Sequence, residues 1–152
     1  MTWPRFFQRV VEETTVIDAT PERVWAVLTD IGAYHEWNAF MPWMEGELVT
    51  GGTVRAAVVP ERGPGFRFRA SIVRCDGCRE LTWRGVFLAP VVFYGLHTFR
   101  LEADEAGGTR FTQHEVMQGL LTPVLAPFLT PRMDRGFRAM NTALARRVAE
   151  VR

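Results

Sequence analysis

From Met41 to Met117, apolar residues recur at every second position in a series of short segments. A period of two is typical of β-strands that bury one face, and each break between segments holds turn residues such as Gly51-Gly52, Asp76-Gly77 or Gly107-Gly108. Short turns join neighbouring strands that run antiparallel, so the pattern predicts an antiparallel sheet. The predicted strands are Val10–Ala19, Trp43–Thr50, Thr53–Pro60, Phe66–Cys75, Cys78–Leu88, Val92–Ala103 and Thr109–Met117.

Helix signals flank this run of strands. Thr20-Pro21 places an N-cap residue before a proline at the first helical position, which predicts a helix after the first strand. Ile31–Trp37 is predicted to form a second short helix. Thr130-Pro131 repeats the start signal and predicts a helix over Pro131–Val151, with Phe137, Met140 and Leu144 facing the sheet. Its apolar residues recur at three- and four-residue spacing, at Met133, Phe137, Met140, Leu144, Val148 and Val151.

The segment between the last strand and this helix is apolar and rich in proline. Gly119–Leu129 contains Pro123 and Pro127. Proline lacks the amide hydrogen that a helix interior needs. The segment is therefore predicted to form only a short, kinked helical turn.

A histidine and a carboxylate fall on the apolar face of the sheet. Asp104–Gly108 joins the last two strands as a hairpin, and folding them about Ala106 sets His97 opposite Glu115. Burying such groups is costly unless they are paired or hydrated, so this face is predicted to line a cavity. The two side chains are expected to hydrogen-bond directly or through one water. The pairs predicted on this face are His97–Glu115, Phe99–Gln113 and Leu101–Phe111.

The other turns extend this register across the sheet. A two-residue turn at Asp76-Gly77 predicts Ile72 opposite Leu81 and Ala70 opposite Trp83. The remaining predicted pairs are Trp83–His97, Leu81–Phe99, Val58–Phe66 and Ala56–Phe68. The opposite face is rich in arginine and threonine and is predicted to be solvated. Its residues are Arg55, Arg67, Arg69, Thr82, Arg84, Thr98, Arg100, Arg110 and Thr112.

The apolar face defines the candidate binding site. An entrance is predicted near Ala89–Val91, Gly119–Leu121 and Trp37–Met41. His97 and Glu115 have three interpretations: a structural pair that stabilises the register, an anchor for a ligand headgroup, or a general base with its orienting carboxylate. The candidate catalytic residues are thus His97 and Glu115. The candidate ligand-binding residues are Phe68, Trp83, His97, Phe99, Gln113, Glu115, Met117, Phe137 and Met140.

Composition excludes several classes of function. A net charge of +1 gives no reason to expect a nucleic-acid partner. All 18 basic residues are arginine, which excludes Schiff-base chemistry through a lysine. No stretch approaches the ~20 apolar residues of a membrane span, and the N-terminus lacks the apolar core of a signal peptide. A cytoplasmic location is therefore predicted.

The residues that suggest redox, metal or serine chemistry have simpler explanations. Cys75 and Cys78 flank a predicted tight turn, and no second cysteine pair exists to complete a zinc site. His35 and His114 are predicted to be exposed and apart from His97, so no metal and no cofactor are expected. Ser71, the single serine, falls on the outer face and argues against serine hydrolysis.

Seven stretches, in order along residues 10–150, resemble a known superfamily. They are Ile17–Trp25, Trp37–Met41, Glu45–Leu48, Leu81–Gly85, Gly95–Phe99, Gly107–Gln113 and Phe137–Asn141. The chain resembles the START-like superfamily, also called SRPBCC, in its polyketide cyclase/dehydrase-type branch. The resemblance implies one α+β domain over residues 1–152, with a core of about 10–151. It also implies the helix-grip fold, in which a seven-stranded antiparallel sheet wraps around a long C-terminal helix and two short helices follow strand one.

Three classes of function are compatible with these observations. The first is binding or carrying a small hydrophobic molecule, such as a lipid, a polyketide or an aromatic, in a cavity between the sheet and the C-terminal helix. The second is a cyclase- or dehydratase-like enzyme that uses His97 and Glu115 as an acid/base pair. The third is a protein-partner module whose cavity is vestigial. Many apolar candidates and few polar groups favour the first class.

Overall fold

Seven antiparallel strands form one sheet in the computed structural model, which describes residues 2–151. Their order across the sheet is β1-β7-β6-β5-β4-β3-β2, so β1 and β2 form the two edges. The strands are β1 (Gln8–Ile17), β2 (Trp43–Gly46), β3 (Thr53–Val58), β4 (Phe66–Asp76), β5 (Glu80–Phe87), β6 (Phe93–Ala103) and β7 (Thr109–Gln118). The predicted antiparallel sheet is confirmed, although β2 is shorter than the predicted Trp43–Thr50 because it ends at Gly46.

Two α-helices and two short 3-10 helices complete the fold. A 3-10 helix over Arg5–Phe7 precedes β1. Helix α1 (Pro21–Thr29) begins after Thr20, whose side chain accepts a hydrogen bond from the Arg23 amide, and a second 3-10 helix covers Ile31–Glu36. Helix α2 (Thr122–Glu150) lies against the inner face of the sheet. This is the predicted helix-grip arrangement.

The start predicted for the C-terminal helix is wrong. Helix α2 begins at Thr122 and runs through Pro127 and Pro131 without a break, so it includes most of the segment predicted as a short kinked turn. Each of the two prolines removes one backbone hydrogen bond. Buried contacts of side chains such as Ala126 and Phe137 outweigh that loss. Thr130-Pro131 is therefore an interior dipeptide and not a helix start.

The register predicted between β4 and β5 is also wrong. Leu81 lies opposite Cys75, because the turn is wider than two residues, and Ile72 lies opposite Trp83, because a bulge between Ile72 and Arg74 then shifts the pairing by one position. The strands are joined by a wider turn, in which Cys78 adopts a φ of 63°. The predicted pairs of β5 with β6, of β6 with β7 and of β3 with β4 are all confirmed.

The outer face of the sheet is less solvated than predicted. Thr82, Thr98 and Thr112 are buried. Their hydroxyls pair across strands, with 3.1 Å between Thr82 Oγ1 and Thr98 Oγ1 and 3.0 Å between Thr14 Oγ1 and Thr112 Oγ1. Arg74 lies opposite Thr82 and Arg100 lies opposite Thr112, and the long stems of such side chains can shield the shorter threonines from water.

Candidate functional site

A buried histidine–carboxylate pair lies at the centre of the inner face. His97 on β6 is directly opposite Glu115 on β7, and His97 Nδ1 lies 2.9 Å from Glu115 Oε2. The His97 side chain is 5% exposed and the Glu115 side chain 9% exposed. Adjacent antiparallel strands hold the two backbones, so the pair does not depend on a flexible loop.

The second ring nitrogen of His97 has no hydrogen-bond partner among residues 2–151. Nε2 is buried and makes no hydrogen bond, whereas Nδ1 is next to the Glu115 carboxylate. A carboxylate accepts the Nδ1 proton, which leaves Nε2 with a free lone pair when the ring is neutral. A buried polar atom without a partner costs about 1–3 kcal/mol, so this atom is the natural contact for a donor that the protein itself does not supply.

Aromatic rings surround His97. The Trp83 ring is stacked on it, with 5.2 Å between centroids and 21° between planes. Phe99 and Phe137 approach it edge-on, with centroids at 4.5 Å and 5.0 Å. These rings exclude water, which strengthens the electrostatic interaction between His97 and Glu115.

Glycine at position 95 makes room for the carboxylate, a role that the sequence analysis missed. Gly95 lies two residues before His97 on the same strand face, and a Cβ at this position would overlap Glu115 Oε1. The sequence signal was present in the stretch Gly95-Leu96-His97. A glycine inside a strand, away from any bulge or turn, is the signal of a close approach by another group.

A second buried polar group connects α2 to the sheet. Gln113 Nε2 on β7 donates to Asn141 Oδ1 on α2 at 2.8 Å. Asn141 Nδ2 in turn donates to the Glu13 carbonyl at 3.3 Å and to Thr15 Oγ1 at 3.2 Å, both on β1. Gln113 Oε1 is buried without a partner. Asn141 is not among the predicted site residues, because the apolar spacing of the helix does not show which polar residue beside the apolar stripe meets the sheet.

The predicted site residues come together, but they pack against one another. Apart from Phe68, which is half-buried, all of them are buried on the inner face or on the side of α2 that meets it. A small cavity of about 90 Å³ lies to one side, between β3, β4 and α2. Phe40 lines this cavity, and its ring centroid is 6.0 Å from that of Phe137, which contacts His97. The other apolar side chains around the cavity include Val58, Phe66, Phe128, Leu129 and Met133.

The cysteine pair lies on the surface, away from His97. Cys75 and Cys78 are free thiols near the β4–β5 turn, and Cys78 lines an open groove beside the start of α1. Partial burial raises the pKa of the Cys75 thiol and the Asp76 carboxylate raises it further, which disfavours the reactive thiolate. Within residues 2–151, no cluster of His, Cys, Asp and Glu side chains is placed to hold a metal ion.

Comparison with known proteins identifies the family. The profile of the family described as polyketide cyclase / dehydrase and lipid transport matches residues 8–150, and the chain belongs to this family. No curated protein sequence matches the chain. Among residues 2–151, no helix has both the length and the apolar character needed to cross a membrane.

Solved structures share the fold at low sequence identity. The Zhui aromatase/cyclase from Streptomyces sp. R1128 has a TM-score of 0.71 at 22% identity, over 93% of this chain and 94% of that one. The di-domain aromatase/cyclase BexL of the BE-7585A pathway has a TM-score of 0.76 at 14% identity, over 97% of this chain and 52% of that one. Norcoclaurine synthase from Thalictrum flavum has a TM-score of 0.71 at 13% identity, over 94% and 95% of the two chains. These likenesses show the helix-grip fold.

Proposed function

We propose that the protein binds a small apolar molecule between the sheet and α2, and that His97 contacts a polar atom of that molecule. The observation that carries this proposal is the buried, unpartnered Nε2 of His97, whose Nδ1 is already paired with Glu115. A ligand hydroxyl that donates to Nε2 would satisfy this buried ring nitrogen. The family description, which includes lipid transport, supports the same class of function. We also propose that the protein is located in the cytoplasm.

Binding requires the inner face to open. A cavity of about 90 Å³ is well below the roughly 300–1,000 Å³ of a typical ligand pocket. Phe40 separates this cavity from Phe137, and its ring packs closely against the backbone of Gly136 on α2. We expect Phe40 and the start of α2 to move apart when a ligand enters. His97 would then lie at the inner end of the enlarged pocket.

Acid–base catalysis is the second candidate, and the same atom favours it. With its Nδ1 proton donated to Glu115, His97 would accept a proton from the substrate at Nε2, and the carboxylate would stabilise the resulting imidazolium. Cyclisation and dehydration reactions both need such a proton transfer. The family description names both a cyclase and a dehydrase.

Probe titration tests the binding proposal. The neutral apolar probe N-phenyl-1-naphthylamine should bind saturably, and a fatty acid or a polycyclic aromatic should displace it. Trp83→Arg places a charge beside His97 and should abolish saturable binding. His114→Phe is the matched control, because His114 pairs with Glu12 on the outer face at 2.7 Å. If the probe still binds to Trp83→Arg, the proposed pocket is contradicted. The interpretation as a partner module with a vestigial cavity would then be favoured.

A double mutant separates the three roles of the polar pair. His97→Phe and Glu115→Leu each leave a buried partner unpaired and should each lower the free energy of unfolding by about 1–3 kcal/mol. If the pair is structural, the double mutant should lose less unfolding free energy than the two single mutants lose together. If the pair anchors a ligand, the double mutant should fold, but oxygen-bearing ligands should no longer displace the probe from it. A catalytic pair predicts retained binding with lost turnover of aromatic polyketide substrates.

A further inference from the structure

Large apolar side chains reach into solvent at one end of the molecule, where the β5–β6 loop meets the start of α2. The Leu120 amide donates to the Val91 carbonyl at 3.0 Å, so the loop and the residues before α2 are in direct contact. Val124 and Phe128 continue this surface, because residues four apart share one helix face. We call this surface the apolar tip. Its residues are Leu88, Val91, Leu120, Val124 and Phe128, with 81%, 49%, 53%, 71% and 49% exposure.

Leu88 is exposed at a conformational cost. Its φ is 65°, in the left-handed region that bulky residues avoid, and the Ala89 amide donates to the Phe87 carbonyl at 2.8 Å across it. This three-residue turn has the pattern of the rare γ-turn with a positive central φ. Leu88 thus combines a strained backbone conformation with a solvent-exposed apolar side chain. Strain of this kind in a loop indicates a functional constraint.

The tip is uncharged at its centre and mainly cationic at its border. Residues 85–99 and 116–131 contain no Asp, Glu, Lys or Arg. Arg132 follows directly, with its guanidinium 3.6 Å from the centroid of the Phe128 ring. Arg132 Nε also donates to the Arg62 carbonyl at 3.0 Å, which places the 61–65 loop beside it. Glu61 is the acidic residue of that loop.

Arg5 in the N-terminal 3-10 helix and Arg9 in β1 are two further arginines near this border. The Gly119 amide donates to the Phe7 carbonyl at 3.2 Å, which places Arg5–Phe7 next to the residues that precede α2. Arg9 Nη1 donates to the Arg5 and Phe6 carbonyls at 3.3 Å, which places the Arg9 side chain at this end of the molecule. The side chains of Arg9 and Arg132 and the backbones of Arg5 and Arg62 therefore border the apolar tip, with Glu61 as the acidic residue beside Arg62.

We infer that the apolar tip is a docking surface for an anionic lipid membrane. Exposed apolar side chains next to cationic ones are the combination that binds peripheral proteins to such membranes. The arginines match the negative surface potential, and the uncharged centre can enter the headgroup region without burying a charge. Phe128 also lines the 90 Å³ cavity, so an apolar molecule leaving the lipid would meet that cavity first. The inference does not depend on the ligand proposed above.

Vesicle flotation with the full chain tests this inference. The protein should float with vesicles of phosphatidylserine and phosphatidylcholine, and less with phosphatidylcholine alone or at high salt. Leu88→Asp and Val124→Asp should each lower partitioning about tenfold, because each places a charge in the uncharged centre. Val16→Asp is the matched control, since Val16 is 57% exposed on the edge strand β1, outside the tip. Its partitioning should equal that of the unaltered protein.

Several results would overturn the inference. The first is that the protein does not partition into anionic vesicles. The second is that partitioning falls by the same amount in Leu88→Asp and in Val16→Asp. Another is a concentration-dependent dimer that Leu88→Asp dissociates while vesicles do not bind, because the tip would then contact a second copy of the chain. His97→Phe should float like the unaltered protein. Failure of the ligand proposal is thereby distinguished from failure of membrane docking.

Discussion

At the scale of single residues, Gly95 decides where the Glu115 carboxylate lies. A Cβ at position 95 would overlap Glu115 Oε1, so the glycine lets the carboxylate keep its present position beside His97. Gly85 lies directly opposite Gly95 on β5, but a Cβ there would make only ordinary contacts, at 3.6 Å or more. The two neighbouring glycines therefore have different roles.

Gly95→Ala should displace the Glu115 side chain and break its hydrogen bond to His97. We expect the free energy of unfolding to fall by about 1–3 kcal/mol, because the buried Nδ1 loses its partner. The imidazole resonances of His97 should shift with it in NMR spectra. Gly85→Ala is the control and should change stability by less than about 0.5 kcal/mol. Unchanged His97 resonances in Gly95→Ala would contradict this account of the site.

At the scale of elements, the first half of α2 is weakened by its own sequence. Pro123, Pro127 and Pro131 follow one another at four-residue intervals. Pro123 lies in the first turn, where an amide hydrogen has no helical partner in any case. Pro127 and Pro131 each remove an interior hydrogen bond. The part of α2 next to the small cavity is thus the part least held by backbone hydrogen bonds, which is compatible with the proposed movement of this segment on ligand entry.

Pro131→Ala should strengthen α2. We expect the free energy of unfolding to rise by about 1–3 kcal/mol in urea denaturation, because the new amide can donate to the Pro127 carbonyl. Hydrogen exchange of residues 124–131 should slow at the same time, and probe binding should become slower. Pro123→Ala is the control and should leave stability within about 0.5 kcal/mol. Equal effects of the two substitutions would refute the assignment of weakness to the interior prolines.

At the scale of the whole molecule, one buried tyrosine should lower stability above about pH 10, in addition to the effect that the raised pKa of the Cys75 thiol has from a lower pH. Burial raises the pKa of the Tyr34 phenol well above its ordinary value, and the Asp30 carboxylate raises it further. In the unfolded chain the phenol loses its proton near pH 10. Above that pH the unfolded state binds fewer protons than the folded state, so stability falls as pH rises. The chain has no lysine, so no lysine amine titrates in the same range.

Above about pH 10, the free energy of unfolding should therefore fall by up to about 1.4 kcal/mol per pH unit. Tyr34→Phe should flatten this slope, although loss of the hydrogen bond to the Leu28 carbonyl lowers stability at neutral pH. Trp37→Leu is the control, because the Trp37 ring packs on Tyr34 at 5.2 Å and does not titrate. It should lower stability equally at all pH values. A slope that is the same in Tyr34→Phe would exclude Tyr34 as its cause.

Local sequence patterns determined most of the fold. Alternation and turn residues predicted the sheet, and the hairpin at Asp104–Gly108 set His97 opposite Glu115 because side chains alternate strictly along a strand. The same logic failed at β4–β5, since the turn is wider than the two residues that Asp76-Gly77 predicts and a bulge then shifts the pairing by one position. It also failed at Pro131, where local propensity predicts a boundary and packing continues the helix.

Only the tertiary structure decided how the site is completed. The orientation of the His97 ring decides that Nδ1 lies near Glu115 and that Nε2 has no partner. The packing of Trp83, Phe99 and Phe137 sets this orientation. That Asn141 joins Gln113 depends on the rotation of α2 against the sheet. Such contacts link residues far apart in the chain, and periodicity places residues on faces without fixing distances between faces. The amino-acid pattern thus determines which side chains share a face, and packing decides which of their atoms meet.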